Sequence, residues 1–533
     1  MSPKEPSPFN TMTLFKDHSW RVALITGLLS WSLHNTRLAF LMESAITGNS
    51  SISVLAWGIL TLGLCNWLRL EINTILLRSK LPRGDLGLLF LGNLYEALVN
   101  NPANIWYDQR AKFGRFFSTN GVSLHVTGWT AESTAWLWNV ERKGGAVTSW
   151  PPQIQKLTGK TALTNVNGAH HRALRRILEP AFTPKATRDY VKTIDTVMQQ
   201  TFREWSERDT TISSDDLKLL TLRVFLLAAF GKELEPNTRD VLHRDFKIWT
   251  EGFGSIIPYR LPFTQFAKSM DARDRIRKTL EEVIIQFKKD NPPGSFLAET
   301  TMVGRACYGL DEEGKTMSME ELKDNLLAMI FAGHDTTSAS MGTAIHFLCE
   351  NHAIRQALTE EVKGFKKPLD FDELKAAPIL NAFLAECWRR DPPAMFIFRK
   401  LQGSWNHEGF QLPSGLRFNI SVKLAAWNEE LFPQPEKFEI QRFLPKDHPL
   451  VDNPELGEAA KSVEFNSDGM KANFPIFGGA RHACLGSHFA KVEMRVFVTR
   501  LLQSYCVEEL SAEKMHSPIN GWKTRFQLAC PAS

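Results

Sequence analysis

The sequence has no Cys-x-x-Cys pair and an odd number of cysteines. Its seven cysteines are scattered over 533 residues, so we expect neither a disulfide framework nor a four-thiolate zinc site. Most of them are predicted to be buried as small apolar side chains, because free cysteine is among the residue types most often buried. Cys484 is the exception, since it lies in the glycine-rich run FGGARHACLG.

The chain also lacks a strong excess of one charge, internal repeats and a long linker. Its 63 basic and 58 acidic residues give a net charge of +5, and the basic residues are spread rather than clustered. This balance, without a nucleic-acid motif, argues against a nucleic-acid partner. Hydrophobic residues make up 43% of the chain, which is ample for a core. We therefore expect one large domain with an N-terminal extension.

Charge is missing from one stretch near the N-terminus. Residues 45–68 carry no charged side chain, and their apolar part is about long enough for a membrane-spanning helix. Four basic residues follow: Arg69, Arg78, Lys80 and Arg83. This order predicts a single-pass anchor with the bulk of the protein on the cytosolic side. A buried helix of the globular part is the alternative. A shorter apolar run, residues 22–33, fits an interfacial helix, a second anchor or a targeting signal.

Apolar residues recur at helical spacing through most of the chain beyond residue 100. The long amphipathic segments are residues 172–186, 190–208, 271–289 and 319–350. Ser318 and Glu321 form a capping-box pattern before the last of them. Strand patterns are short and late: residues 410–422 predict a hairpin, and the C-terminal tail predicts another. The expected class is mainly α with a minor β part.

The long helix predicted from Met319 contains an unusual polar turn, FAGHDTTSAS, at residues 331–340. Gly333 and three consecutive hydroxyl residues are poor helix formers, and local conflicts of this kind often mark functional sites. Asp335 beside Thr336 offers an acid and a hydroxyl where a loosened backbone holds water and passes protons. A solvated polar turn in an ordinary helix is the alternative.

Two further segments follow this helix. LAECWRRDPPAMFIFR, residues 384–399, places Glu386 and Arg389 on one helical face. Its Asp-Pro-Pro ends the helix and starts an extended apolar segment. PEKFEIQRF, residues 435–443, adds Arg442. Alone, a Glu-x-x-Arg pattern is common and usually indicates a surface ion pair.

Together with FPIFGGARHACLG, these segments resemble the motifs of the cytochrome P450 family in order and spacing, and weaker similarity extends from about residue 81 to the C-terminus. The resemblance implies a cytochrome P450-like fold of the membrane-anchored eukaryotic type, a helix-rich domain around a buried haem with small β-sheets. It divides the chain into an anchor and linker, residues 1–80, and a catalytic domain, residues 81–533. It also implies haem b, with Cys484 as the thiolate ligand of the iron.

The resemblance implies an activity as well. Such a haem-thiolate monooxygenase inserts one oxygen atom from O2 into a hydrophobic small molecule. Electrons come from NADPH through an NADPH-cytochrome P450 reductase, which docks where basic residues surround the thiolate side. The expected location is the endoplasmic reticulum membrane. The alternatives are a haem-thiolate isomerase or dehydratase, and a non-catalytic haem carrier or scaffold. An intact acid–alcohol pair favours the monooxygenase.

Roles carry over residue by residue. Asp335 and Thr336 match the proton-delivering acid–alcohol pair of the family. Glu386, Arg389 and Arg442 match its buried ion-pair group. The residues expected to contact the haem, some of them through its propionates, are His171, Arg175, Arg399, Phe477, Gly478, His482 and Gly486.

Four positions depart from the usual family pattern. Ala480 replaces a glycine, His482 an arginine, His171 an aromatic residue and Ile440 a proline. These changes bring propionate contacts and loop rigidity into question. They remove neither the ligand nor the acid–alcohol pair.

Two segments, residues 149–182 and 249–276, look like the branch with retinoid-oxidising and plant steroid-oxidising members. This implies an isoprenoid-like substrate such as a terpenoid or sterol, of the kind met in secondary metabolism. The expected pocket residues are Phe331, Ala332, Ala394, Met395, Phe396 and Ile397, with ordinary core packing as the alternative for each. A lid is expected from Trp249, Phe253, Ile256 and Ile257.

Overall fold

The computed structural model describes positions 68 and 72 and residues 80–85, 102–120, 124–207, 211–255, 257–453, 472–514 and 522–529. The apolar run 22–33 lies outside these residues, and so does the predicted span 45–68 apart from Leu68. In the described parts of the chain, we find no helix with both the length and the apolar character needed to cross a membrane.

The chain separates into two compact units. The first comprises residues 1–126 and 405–412, and the second comprises residues 127–404 and 413–533. All of the candidate site residues named above belong to the second unit. The predicted division of the chain at residue 80 stays a prediction.

Helices dominate the described residues. They are α1 (Pro102–Phe113), α2 (Ala131–Arg142), α3 (Pro152–Thr158), α4 (Gly168–Leu178), α5 (Pro184–Ser206), α6 (Ser214–Phe230), α7 (Pro236–Glu251), α8 (Gln265–Asp290), α9 (Phe296–Thr300), α10 (Met302–Tyr308), α11 (Met319–Glu350), α12 (His352–Lys363), α13 (Phe371–Ala376), α14 (Pro378–Arg390), α15 (Val422–Ala426) and α16 (Ser487–Ser504). The predicted class, mainly α with a minor β part, is confirmed.

The strands are short. They are β1 (Phe116–Asn120), β2 (Leu124–Gly128), β3 (Ala146–Thr148), β4 (Phe396–Leu401), β5 (Trp405–His407), β6 (Phe410–Leu412), β7 (Arg417–Ser421), β8 (Cys506–Lys514) and β9 (Trp522–Ala529). Strand β4 pairs antiparallel with β3 on one side, where Arg399 is opposite Thr148, and with β7 on the other. Strands β8 and β9 form the predicted C-terminal hairpin.

The predicted hairpin at residues 410–422 is wrong in its pairing. Both strands exist, but β6 pairs with β5 and β7 pairs with β4. Gly415 lies in the turn between them with φ +83°, a conformation that suits glycine. The local alternation of residues predicted the strands and the turn, whereas the choice of strand partners is a tertiary effect.

The predicted helix at residues 172–186 is wrong in its bounds. Helix α4 ends at Leu178, a 3₁₀ turn covers Glu179–Phe182, and α5 begins at Pro184. Proline has no backbone N–H and is tolerated at the first turn of a helix, so Pro180 and Pro184 mark a break and a new start. The side chain of Thr183 caps α5 by accepting a hydrogen bond from the N–H of Ala186.

Helix α11 has the predicted bounds, and the Ser318–Glu321 capping box is present. The loosened backbone expected at residues 331–340 is wrong, because the helix is continuous there. Its hydroxyl groups bond to carbonyls of the same helix: Thr336 donates to Ala332 O at 2.5 Å and Ser340 to Thr336 O at 2.9 Å. The polar turn is therefore satisfied within the helix.

Helix α11 runs through the core of the second unit. It packs against α6, α8, α14 and α16, and one hydrophobic cluster joins buried residues from Leu157 to Leu502. The polar turn of α11 and the cysteine loop that precedes α16 are thus both held by packed helices.

Candidate functional site

The cysteine loop, residues 477–486, has a defined backbone conformation. Gly478 has φ +67° and Ala480 has φ +54°, and the N–H of Cys484 donates to Phe477 O at 2.8 Å. The left-handed region costs a non-glycine residue roughly 1–2 kcal/mol. This explains the usual glycine at position 480 in the family pattern, and it shows that Ala480 adopts that backbone under strain.

The side chain of Cys484 is exposed. Burial raises the pKa of this thiol overall, against the lowering effects of the Gly486 N–H and of the charges on Arg175 and Lys491. The accessible side of Cys484 opens into a cavity of about 1520 Å³ that Phe477 and Arg175 also line. The sulfur is therefore accessible to a ligand, and the Gly486 N–H and the two basic side chains favour its anion. A metal ion bound there would deprotonate the thiol despite its raised pKa.

The last turn of α2 lies against the cysteine loop. A Cβ atom added at Gly479 would come within 2.3 Å of the Trp138 ring, so the approach of the loop to this ring requires glycine. Arg481 donates from Nη2 to Arg142 O at 2.7 Å. The sequence analysis did not single out α2.

Glu141, in the same turn, is a buried carboxylate that sequence reasoning missed. Its Oε2 accepts from Arg399 Nε at 3.0 Å, and its Oε1 accepts from His482 Nδ1 at 2.5 Å. Burial raises the pKa of Glu141, but these two partners outweigh it and lower the pKa overall. An acidic residue among the buried apolar positions of α2 was the available signal, and its partners are distant in sequence.

The four basic residues expected at the haem propionates lie around the cysteine loop. The rings of His171 and His482 are 4.0 Å apart between centroids, and Arg175 donates from Nη1 to Ala483 O at 2.8 Å. Burial, helped by the charges of His482 and Arg175, lowers the pKa of His171 to about 3. His171 is therefore neutral near pH 7 and is suited to donate a hydrogen bond rather than to supply a positive charge.

Asp335 and Thr336 point to different neighbours, since successive residues of a helix diverge by about 100°. Asp335 Oδ1 lies 3.1 Å from His334 Nδ1 and 3.1 Å from Lys218 Nζ, on α6. Burial raises the pKa of Asp335, but the bonds and charges of His334 and Lys218 lower it overall. The carboxylate is therefore ionised near pH 7. Lys218, which the sequence did not indicate, is 27% exposed and connects this buried group to solvent.

Glu386, Arg389 and Arg442 lie together in the interior. Arg389 makes a bidentate pair with Glu386, at 2.6 and 2.7 Å, and both side chains are fully buried. Arg442 Nε lies 3.5 Å from Glu386 Oε1. Arg389 also donates to the carbonyls of Ala426, Pro435 and Lys437. The group therefore connects α14 to the segment that follows α15.

The expected pocket residues fall into two aromatic groups. On α11, Phe331 contacts Phe253 at 4.3 Å and Trp249 at 5.5 Å between ring centroids. On β4, Phe396 contacts Phe398 at 5.8 Å, and Phe398 contacts Trp150 at 5.4 Å.

The remaining pocket and lid residues differ in exposure. Ala332 is exposed, Ala394 and Ile397 are half-buried, and Met395 is buried. Among the expected lid residues, Trp249 is core, since it is 0% exposed, whereas Ile257 is 55% exposed. Ile256 lies outside the described residues.

The residues of the cysteine loop fit a haem. The ligand to the iron would be a single sulfur with a backbone N–H directed at it. Around it lie three basic side chains, Arg175, Arg399 and His482, and the neutral imidazole of His171, which suit two propionates. A Cβ atom placed on Gly486 meets nothing within 4 Å. The loop therefore leaves open space next to the ligand, where a flat macrocycle needs it.

Comparison with known proteins agrees with this geometry. The family model described as Cytochrome P450 matches residues 82–531. A Synechocystis sp. protein assigned as cytochrome P450 120 is 29% identical over 430 residues, which cover 80% of this chain and 90% of the relative. Abscisic acid 8'-hydroxylase 2 of Arabidopsis thaliana is 24% identical over 444 residues, with 82% and 86% covered.

A solved structure is also similar. The retinoic acid-bound cyanobacterial CYP120A1 matches with a TM-score of 0.74 and 26% identity, and the match covers 84% of this chain and 99% of that chain. This chain therefore has the same helix-rich fold with small sheets as that solved structure.

Proposed function

Because the chain belongs to the cytochrome P450 family and is a monooxygenase of that family, we propose that it inserts one oxygen atom of O2 into an isoprenoid-like hydrophobic molecule. The observation that carries this proposal is Cys484, the single sulfur of a glycine-rich loop with basic groups around it. An ordered acid–alcohol pair on α11 supports the same chemistry.

Haem b, when bound, supplies the iron-centred activation of O2. Cys484 would hold the iron through its sulfur, and the N–H of Gly486 would stabilise the negative charge on that sulfur. Arg175, Arg399, His171 and His482 would donate hydrogen bonds to the propionates. Phe477, whose carbonyl accepts from the Cys484 N–H, would keep the ligand in place.

Proton delivery falls to residues of α11 and α6. Lys218 lies between solvent and the buried Asp335 carboxylate, 3.1 Å away. Since the pKa of Asp335 is lowered, this carboxylate relays protons rather than storing them. Thr336 supplies the alcohol of the pair, and its hydroxyl is oriented by its bond to Ala332 O. This hydroxyl would give its own proton to the reaction and regain one afterwards, so that the alcohol is unchanged. An isomerase, a dehydratase or a haem carrier has no need of this pair, which favours the monooxygenase.

The substrate class rests on the pocket residues and on the relatives. The aromatic groups around Phe331 and Phe398 favour apolar, extended or ring-containing molecules. Abscisic acid and retinoic acid, the compounds in the relatives' names, are both isoprenoid. Terpenoids, sterols and retinoids are therefore the first classes to test.

The electron donor we propose is an NADPH-cytochrome P450 reductase. The cavity beside Cys484 has a strongly basic lining: Arg142, Arg175, Lys375, Arg481, Lys491 and Arg495, against Glu179 as the acidic residue among the described lining residues. Such a surface steers an acidic partner toward the thiolate side. We place the protein at the endoplasmic reticulum membrane, anchored by residues 45–68, on the ground of their uncharged sequence.

Titration of the haem-loaded protein tests the proposed substrate class. A panel of terpenoids, sterols and retinoids is added, and the low-spin to high-spin shift of the haem spectrum is followed. Compounds that give the shift are incubated with the reductase and NADPH, and we expect a product heavier by one oxygen atom. A shift given by none of the isoprenoids but by an unrelated apolar class would contradict the proposed substrate class.

A further inference from the structure

A buried carboxylate lies at the centre of the residues expected to receive the haem propionates. Glu141, in the last turn of α2, is 1% exposed. Its two oxygens accept hydrogen bonds from Arg399 on β4 and from His482 in the cysteine loop. Three separate parts of the chain therefore meet at this one side chain.

Arg399 is fixed by Glu141 and keeps donor capacity. Its Nε donates to Glu141 and its Nη1 to Phe398 O. Among the residues that the structure describes, Nη2 makes no hydrogen bond. A guanidinium presents five N–H donors in a rigid fork, so fixing one edge on Glu141 sets the direction of the remaining donors.

His482 is held between two acceptors. Its Nδ1 faces Glu141 Oε1 at 2.5 Å, and its Nε2 lies 3.3 Å from Val166 O. The second contact is long for a hydrogen bond, whereas the first is short, so Nε2 is the nitrogen that can exchange Val166 O for a propionate while Nδ1 stays on Glu141. The orientation of this imidazole therefore depends mainly on Glu141. The family pattern has an arginine here, whose longer side chain has a different reach.

The last turn of α2 is a suitable base for this role. Trp138, Glu141 and Arg142 are spaced i, i+3 and i+4 and so share one face of the helix. The Trp138 ring lies against Gly479 of the cysteine loop, and the Glu141 carboxylate bonds to His482. The backbone carbonyl of Arg142 accepts from Arg481 of the same loop. Glu141 is thus held by a rigid element that is already packed against the loop.

We propose that Glu141 is a positioning residue that aims Arg399 and His482 at the haem propionates and thereby slows the loss of haem. The inference rests on the proposed function, because it requires a haem bound through Cys484. Glu141 acts through its two partners and does not itself touch the reacting atoms.

The test measures transfer of haem from the ferric holoprotein to an excess of apomyoglobin. We expect Glu141→Ala to raise the rate of haem loss by about tenfold or more, since hydrogen bonds to charged groups are among the stronger ones. Glu141→Gln, which keeps the shape and one acceptor, is expected to give a smaller rise. Glu207→Gln, at an exposed carboxylate after α5, is the matched control and is expected to leave the rate unchanged.

A double-mutant cycle separates positioning from general stability. If Glu141 acts through His482 and Arg399, the effect of Glu141→Ala on haem loss is smaller in a background that carries both His482→Ala and Arg399→Ala. Equal effects with and without these two replacements would overturn the inference, and so would an unchanged rate in Glu141→Gln and Glu141→Ala proteins that keep a thiolate-type carbon monoxide spectrum. Absence of that spectrum from the unmodified protein would instead overturn the proposed function.

Discussion

At the scale of single residues, motifs indicate the groups that lie close together in sequence and miss those that tertiary packing adds. Cys484 was predicted from its glycine-rich loop, and Asp335 from its position in a helix. Lys218 carried no local signal, and the signal of Glu141 was only an acidic residue among apolar positions, because the partners of both lie on other elements. His171 was expected to contact the haem, but the sequence did not indicate that burial lowers its pKa to about 3. Burial of this kind depends on the complete fold.

Replacing the Thr336 hydroxyl tests the proton relay at this scale. Thr336→Val keeps the branched shape and removes the donor to Ala332 O. We expect NADPH consumption to continue while product per NADPH falls several-fold and peroxide rises. The hydroxyl no longer directs protons to the oxygen atom that leaves as water, so O2 that has taken up two electrons and two protons leaves as peroxide. Thr337→Val, at the buried neighbouring position, is the control. Coupling that is equal in both variants would remove Thr336 from the mechanism.

At the scale of elements, strong local signals predicted the bounds of a helix, whereas the sequence did not predict which strands pair. The capping box and the apolar spacing gave α11 its bounds. The prolines at 180 and 184 divided a predicted helix, and β6 and β7 took partners other than each other. The polar turn of α11 indicated a functional site, but its hydroxyl groups satisfy the helix instead of opening it.

The buried pair of Glu386 and Arg389 gives a stability prediction at the element scale. Arg389→Leu leaves the Glu386 carboxylate fully buried without its bidentate partner, so we expect the free energy of unfolding to fall by about 3–5 kcal/mol. Urea unfolding of the haem-loaded protein measures this change. Arg188→Leu, which breaks the exposed pair with Asp372, is expected to lower the free energy of unfolding far less, because water screens exposed ion pairs. Similar losses in the two variants would contradict a structural role for the buried pair.

At the scale of the whole molecule, the family assignment covers residues 82–531, and the described fold is mainly helical as the sequence predicted. The motifs carry this assignment because their order and spacing span several elements of one fold. For the N-terminal region, the basis of the anchor proposal is the sequence alone, in which residues 45–68 are uncharged. An uncharged run long enough to span a bilayer favours anchoring, whereas the contacts of side chains in the second unit support the catalytic function.

Deleting residues 1–70 tests the proposed anchor. The shortened chain keeps every residue that the family model matches, so we expect it to bind haem with an unchanged spectrum. We expect it to remain in the supernatant after high-speed centrifugation of lysed cells, whereas the full chain sediments with membranes. A shortened chain that still sediments tightly with membranes would place the anchor elsewhere.

The most direct test of the central claim is the reduced carbon monoxide difference spectrum of the full chain in membranes, measured beside Cys484→Ser. The account predicts a red-shifted Soret band of the thiolate type in the unmodified protein and its loss in the variant. Cys349→Ser, at a half-buried cysteine of α11, is expected to keep the band. A thiolate-type band that survives in Cys484→Ser, or a histidine-type band from well-folded unmodified protein, would contradict the assignment of Cys484 as the haem ligand.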